Sequence, residues 1–213
     1  LGSNMTKTNN SLDFTSLEAL EVAFYGASRG KRYKTYSAFF NYQRLEVLIQ
    51  LQDELRTRCY QPKPHRRFMV NDPKKRLIDA PHFLDRIVHH AVCAVLKEVY
   101  EPCFVHDSYA CREAKGSHAA LRRVQHYVRW QTDKPLHVLH LDVSKYYASV
   151  NHDVLKRILR KKITDPLLLN ALDTIIASYR SGDEHDDLFA TNSPYHTRGY
   201  RGIPIGNLTS QIF

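Results

Sequence analysis

The sequence predicts an α+β chain that is mostly helix, and three of its features carry that expectation. Apolar residues recur at steps of three and four in several separate stretches. One apolar run, Leu136 to Val143, has the length of a buried strand instead of a helix. Between these lie prolines and polar turns that divide the chain into elements without any internal repeat or low-complexity tract.

Each element has its own justification. Thr15 with Glu18 makes a capping box ahead of Leu17, Leu20 and Phe24, so a first helix starts there. After the basic stretch Arg29 to Lys34, Leu45, Leu48, Ile49 and Leu55 keep one face through about Arg58. Pro62, Pro64 and Pro73 make Gln61 to Lys75 extended chain and turns, with Arg67 to Asn71 as a strand. The strongest helical pattern follows, in Leu84, Ile87, Val88, Ala91, Val92, Val95, Leu96 and Val99. Ser117 caps a helix with Ala120, Leu121, Val124 and Val128 inside. The strand ending near Asp142 comes next. Asn151 caps a short helix through Leu155 and Leu159, and Asp165 before Pro166 starts another with Leu168, Leu172, Ile175, Ile176 and Tyr179. Ser181 to Thr197 reads as a loop or hairpin.

At 213 residues and 43% hydrophobic the chain can bury a sizeable core, so disorder is not the expected state. Thirty-one Lys and Arg against 22 Asp and Glu favour a polyanionic partner. No run approaches the roughly 18 apolar residues of a membrane span, and the polar N-terminus is unlike a signal peptide, so no membrane association and a cytoplasmic location are expected. Leu1 to about Asn4 reads as a vector scar ahead of Met5. Cys59, Cys93, Cys103 and Cys111 suit reduced thiols, with Cys93 or Cys103 buried. Cys103, His106, Cys111 and His118 match no common zinc spacing, and no zinc is expected.

Chemistry enters at HVLHLDV. An acid at the exit of a strand can hold a divalent metal with help from the next backbone carbonyl, or it can simply cap the turn into KYYASVNH. Basic residues interleaved with aromatics, Arg29, Lys31, Arg32 and Lys34 with Tyr33 and Tyr36, and Arg66 and Arg67 near Phe68, suit a nucleic-acid backbone and unpaired bases as well as plain solvation. For Lys156, Arg157, Arg160, Lys161 and Lys162 a solvated helix face is the reading that spacing favours.

The text around Asp142 adds to this. HLDVSKYYASVNHDVL resembles the metal-binding palm motif of reverse transcriptases from group II introns and related bacterial retroelements. Upstream, KKRLIDAPHFLDRIVHHAV and FVHDSYACREAKGSHAAL resemble the two fingers motifs of that family, and downstream RGIPIGNLTSQIF resembles the motif on which primer and template pack. The four motifs stand in family order from about Lys74 to Phe213. The variant I-G-N-L-T-S-Q, in place of the commoner glutamine before the glycine and proline after the serine, is similar to that of diversity-generating retroelements, in which loss of the glutamine goes with error-prone copying at template adenines.

The resemblance implies right-hand polymerase architecture: a tag remnant and flexible N-terminus over 1–16, helix-rich fingers over 17–135, and over 136–213 a partial palm with an incomplete antiparallel sheet. The later acidic pair and the thumb would lie beyond Phe213, so the 213-residue chain is expected to be inactive by itself. It implies that Asp142 and the Val143 carbonyl bind Mg²⁺, and that Tyr146 sits under the incoming sugar and excludes a 2′-hydroxyl, although a core tyrosine is the simpler alternative. Arg76, five residues before Pro81, corresponds to the arginine that contacts the triphosphate. Lys74 or Lys75 assists it, since the family's usual lysine falls where this chain has Val70. Arg112 touches template or nucleotide, or pairs with Glu113 or another acid. Gly202, Ile205, Gly206, Ser210 and Gln211 would meet the primer-template pair. The implied partners are an RNA template, a DNA or RNA primer, dNTP and a small basic accessory protein. Two other classes stay open: the RNA-binding region of an intron maturase, and a defence-type reverse transcriptase.

Overall fold

The computed structural model describes residues 12–30, 35–71, 75–130, 135–180 and 200–213, and of 35–38 the backbone alone. The basic stretch Lys31 to Lys34, Lys74, the N-terminal tag residues and the expected loop Ser181 to Thr197 lie outside the described residues. The chain forms two compact units, one comprising the residues up to Val99 and from Lys145 onward, the other Tyr100–Ser144.

In the larger unit the first helix, α1 (Leu17–Ser28), is capped by Ser16, whose hydroxyl accepts from Ala19 N at 3.2 Å. The expected Thr15 cap is thus displaced by one residue, for a reason visible in the structure. Thr15 is bound by its neighbours instead: its hydroxyl donates to Asp13 Oδ1 at 2.7 Å and accepts from Arg56 Nε at 3.1 Å, and its carbonyl accepts from Gln52 at 2.7 Å. These bonds tie the start of α1 to the end of α3 (Arg44–Arg56), which follows α2 (Thr35–Tyr42). Leu48, Leu51 and Leu55 form the buried face of α3, while Leu45 and Ile49, expected inside, are exposed. The periodicity has two registers here, and the one that meets α1 and the later helix α8 (Pro166–Ala177) is buried.

Strands β1 (Arg66–Asn71) and β2 (Lys75–Ala80) pair antiparallel, Arg67 opposite Asp79 and Phe68 opposite Ile78. Helix α4 (Phe83–Tyr100) buries Ile87, Val88, Ala91, Val92, Val95, Leu96 and Val99, the stripe its sequence shows. The short α6 (Tyr146–Ser149) leads to α7 (His152–Leu159), where Asn151 accepts from Val154 N at 3.0 Å, and α8 (Pro166–Ala177) starts on Asp165, which accepts from Leu167 N at 2.9 Å. α1 packs on α3, α3 on α8 and α7 on α8. Burying such leucine and isoleucine side chains contributes about 1.5–3 kcal/mol each before entropy is charged against it.

The smaller unit contains α5 (Ser117–Trp130) and irregular chain. Two expectations fail in it. Leu121, Val124 and Val128 are 56%, 56% and 47% exposed, not inside. Leu136 to Val143 is not a strand, and Val138, Leu139 and Leu141 stand about four-fifths exposed. A strand exists only through a ladder partner. Among the described residues of this unit no other extended segment offers one, and no second apolar element covers α5.

Cys93 is buried, and that burial pushes its thiol up to about 12, whereas Cys103 is exposed. Among the described residues no helix is long and apolar enough to cross a membrane.

Candidate nucleic-acid interface

In the larger unit the residues singled out by the fingers and primer-template motifs share one locality. Side chains alternate across a strand, so Arg76, Ile78 and Ala80 lie on one face of the hairpin with Arg66, Phe68 and Val70 from β1. Lys75 falls on the other face with Leu77 and Asp79. The register sets Val70 directly opposite Arg76. Ile78 and Ala80 continue that face into a pocket of about 250 Å³, closed by Pro81, by Arg86, His89 and His90 of α4, and by Gly206, Asn207, Leu208 and Gln211. Phe68, Met69 and Leu77 remain substantially exposed beside Arg66, Lys75 and Arg76, a mixture of cations and apolar side chains suited to a backbone and its bases. Arg67 is committed elsewhere: its Nε donates to the buried Asp79 carboxylate at 2.7 Å.

The loop that carries Gly206 is held at both ends. Gly202 N donates to Val150 O at 2.9 Å, Ile203 N to Tyr147 O at 2.8 Å, and His152 N to Tyr200 O at 2.9 Å, so 200–203 is clasped antiparallel to 147–152. His152 is buried and its Nε2 donates to Gly202 O at 2.7 Å, while burial holds its pKa down. Gly202 (φ +100°) and Gly206 (φ +95°) occupy backbone that side-chain-bearing residues rarely adopt. A Cβ on Gly206 would meet Ile78 Cγ2 at 3.6 Å, which is ordinary contact, so glycine is required there by conformation and not by space.

At its far end, the 3-10 turn Thr209–Gln211 packs on α4, where Thr209 Oγ1 and His89 Nδ1 share a hydrogen bond of 2.9 Å. Burial, with His65 and His90 nearby, lowers His89 to about 3, so this imidazole is neutral at ordinary pH. Ser210 is buried and Gln211 and Ile205 are exposed. The side-chain atoms of Asn207 and the Ser210 hydroxyl are buried with no hydrogen-bond partner among the described residues.

Tyr146 opens α6 after Lys145, whose φ is +51°. Its ring is exposed, lies edge-on to Tyr147, and its hydroxyl donates to Phe213 O at 3.3 Å. It is therefore not a core tyrosine in this structure.

Within the smaller unit, Asp142 and Val143 are exposed in the irregular segment. Among the described residues no group of three His, Cys, Asp or Glu side chains gathers as a metal site. One exposed carboxylate and a neighbouring carbonyl do not make a two-metal clamp. Arg112 shows the acid-pairing role of the two open to it: only 11% of its side chain is exposed, Nε donates to Glu101 at 2.8 Å, and one terminal nitrogen donates to Val105 O and Ser108 O at 3.0 Å each. Its guanidinium also lies over Phe104, 5.3 Å from the ring centre.

Several organising residues escape a reading by motif. Asp107 accepts from Tyr127 at 2.9 Å, Tyr109 at 3.0 Å and Arg123 at 3.0 Å, and those hydrogen bonds, Tyr127 first, hold its carboxyl well below the usual range. Asp85 is buried in the first turn of α4, accepting from Tyr60 Oη and Lys63 N at 2.9 Å each, and burial raises its pKa. Both lie inside the quoted fingers motifs, but the resemblance gave neither a role, and an acid near aromatics is too common to single out.

No protein-family model matches the chain. It is 29% identical over 180 residues to Protein YkfC of Escherichia coli (strain K12), covering 79% of this chain and 43% of that protein. It is 25% identical over 179 residues to Group II intron-encoded protein LtrA of Lactococcus lactis subsp. cremoris, covering 81% of this chain and 26% of that protein. The chain spans less than half the length of these curated relatives. The similarity is distant, and it agrees in direction with the motifs: the chain is a remote relative of proteins that group II introns encode.

Proposed function

We propose that the chain is the fingers and first palm portion of an RNA-directed DNA polymerase of a bacterial retroelement. The observation that carries the reading is the convergence of two motifs 120 or more positions apart on one pocket, Ile78 and Ala80 on one side and Gly206, Asn207, Leu208 and Gln211 on the other, with Arg76 exposed on the same face of the hairpin as Ile78 and Ala80. The similarity to an intron-encoded protein supports it. In this reading Arg76 meets the triphosphate without Lys75, which lies on the opposite face of the hairpin, Tyr146 presents its exposed ring beneath the sugar, and Gly202 and Gly206 let the backbone approach the nascent pair. Asp142 contributes one ligand to Mg²⁺, and further carboxylates complete the clamp in the longer protein. The 213-residue chain alone then extends no primer.

We further propose that the polymerase containing this chain copies adenine with low fidelity. Ile205, 37% exposed on the loop, stands where the commoner motif has glutamine. A branched apolar side chain cannot hydrogen-bond the nascent pair, so mispairs are rejected less strictly.

The test is primed synthesis on an RNA template with Mg²⁺ by a longer protein containing this chain, beside its Asp142→Asn and Ile205→Gln variants and the 213-residue chain. Synthesis by the longer protein, abolished by Asp142→Asn, is expected. Ile205→Gln should lower misincorporation opposite adenine, and an unchanged error spectrum refutes that part. Binding of RNA with no extension would favour an intron-maturase role, the reading that the intron-encoded relative also suits.

A further inference from the structure

We propose that the outer face of α7 is a second docking surface, a groove that grips the phosphate backbone of single-stranded RNA away from the pocket described above. α7 is two-sided: His152, Leu155 and Leu159 are buried, and the outer side carries Lys156 and Arg157 and runs on into Arg160 and Lys161 of the turn that ends the helix. Those four, with Asp153, line an open groove of about 440 Å³.

The bland alternative is a solvated helix end, where cations complement the helix dipole. It accounts for half of the stripe. Asp173 of α8 takes both Lys156, at 3.9 Å, and Arg160 in ion pairs, which hold those two side chains against the body of the protein. It does not account for Arg157 and Lys161, which are exposed, line the same groove, and form no ion pair among the described residues. Like charges gathered along one groove repel each other, so the strip is relieved when an anion lies across it. Regularly spaced cations on a concave strip match a chain of phosphates better than a single anion, which would engage one or two of them. Ile158, 47% exposed between Arg157 and Arg160, adds an apolar surface for a sugar or base edge. The inference stands on charge and shape and does not depend on the polymerase reading.

The experiment measures binding of the 213-residue protein to a labelled single-stranded RNA by fluorescence anisotropy across a range of KCl concentrations. The variants are Arg157→Gln/Lys161→Gln and the charge-keeping Arg157→Lys/Lys161→Arg, with Arg58→Gln/Arg129→Gln as a control for net charge. Each lost phosphate contact on a single strand removes about 0.7 from the slope of log K against log salt, so the first variant should lose about 1.4. The charge-keeping pair should retain the wild-type slope, and the control pair should change it little. An unchanged slope in the first variant overturns the proposal, as does an equal loss in the control pair. So would preferential binding of poly-glutamate over RNA, which would make the groove a site for acidic protein segments.

Discussion

Lowering the pH from about 7 to about 5 should destabilise the protein chiefly through His89. The imidazole is buried in α4 beside Thr209, and its pKa falls from 6.5 in the unfolded chain to about 3 in the folded one. Below 6.5 the unfolded chain takes up a proton that the folded protein refuses, so stability is complete above that value and is lost progressively as pH falls toward about 3. At pH 5 the unfolded chain has gained about 1.5 pKa units of advantage, which at 1.36 kcal/mol per unit is about 2 kcal/mol. His152, His65 and His82, all lowered by burial, act in the same direction. Asp85, raised by burial, acts against them. Urea unfolding followed by circular dichroism at the two pH values measures the sum. His89→Gln isolates the part assigned here, because glutamine can still hydrogen-bond Thr209 but does not titrate. The difference in unfolding free energy between the two pH values should shrink by about 2 kcal/mol in the variant. If wild type and His89→Gln lose the same amount, His89 is not the acid-sensitive group and the argument from its burial is wrong.

Gly202→Ala places a Cβ on backbone at φ +100° and should cost about 1–3 kcal/mol, read as a lower melting temperature; an unchanged melting temperature would show that the clasp tolerates another backbone conformation. Tyr60→Phe leaves the buried Asp85 carboxylate short of a donor and should cost about 1–3 kcal/mol in urea unfolding, whereas a loss near zero would mean that Asp85 is protonated or rehydrated without it. Asn207→Leu should be neutral or slightly stabilising, because the amide it removes is buried without a partner among the described residues; a large loss would reveal a bond that forms in solution. A thiol-specific reagent should modify Cys59, Cys103 and Cys111 quickly and Cys93 only on unfolding, and rapid reaction of all four would contradict the packing of α4.

The parts of the fold that were legible from sequence are those whose signal is local. The stripe of α4, the Asn151 cap and the Asp165-Pro166 start require only neighbouring residues, and each is present. What failed depends on partners far along the chain. Leu136 to Val143 has the composition of a buried strand, but composition cannot supply the ladder, and the segment is irregular. Thr15 looks like a cap until Gln52 and Arg56 claim it. At the site, the motifs indicated Arg76, Gly206 and Gln211, but that Gly206 and Gln211 share a pocket with Ile78 and Ala80 depends on the hairpin and the clasp of 200–203, which no local pattern encodes. Arg112 illustrates the same limit: its place in a motif left a ligand contact and an ion pair equally open, and its surroundings tie it to Glu101.

His90 has a consequence for how the pocket is set. Its ring lines that pocket on one side, and on the other lies against α1, where a Cβ on Gly26 would fall only 2.8 Å from Nδ1. Gly26 therefore leaves the room that the His90 ring occupies, and one methyl group added there would have to displace the imidazole. The α4 wall of the pocket thus depends on a residue of α1 that does not itself line the cavity.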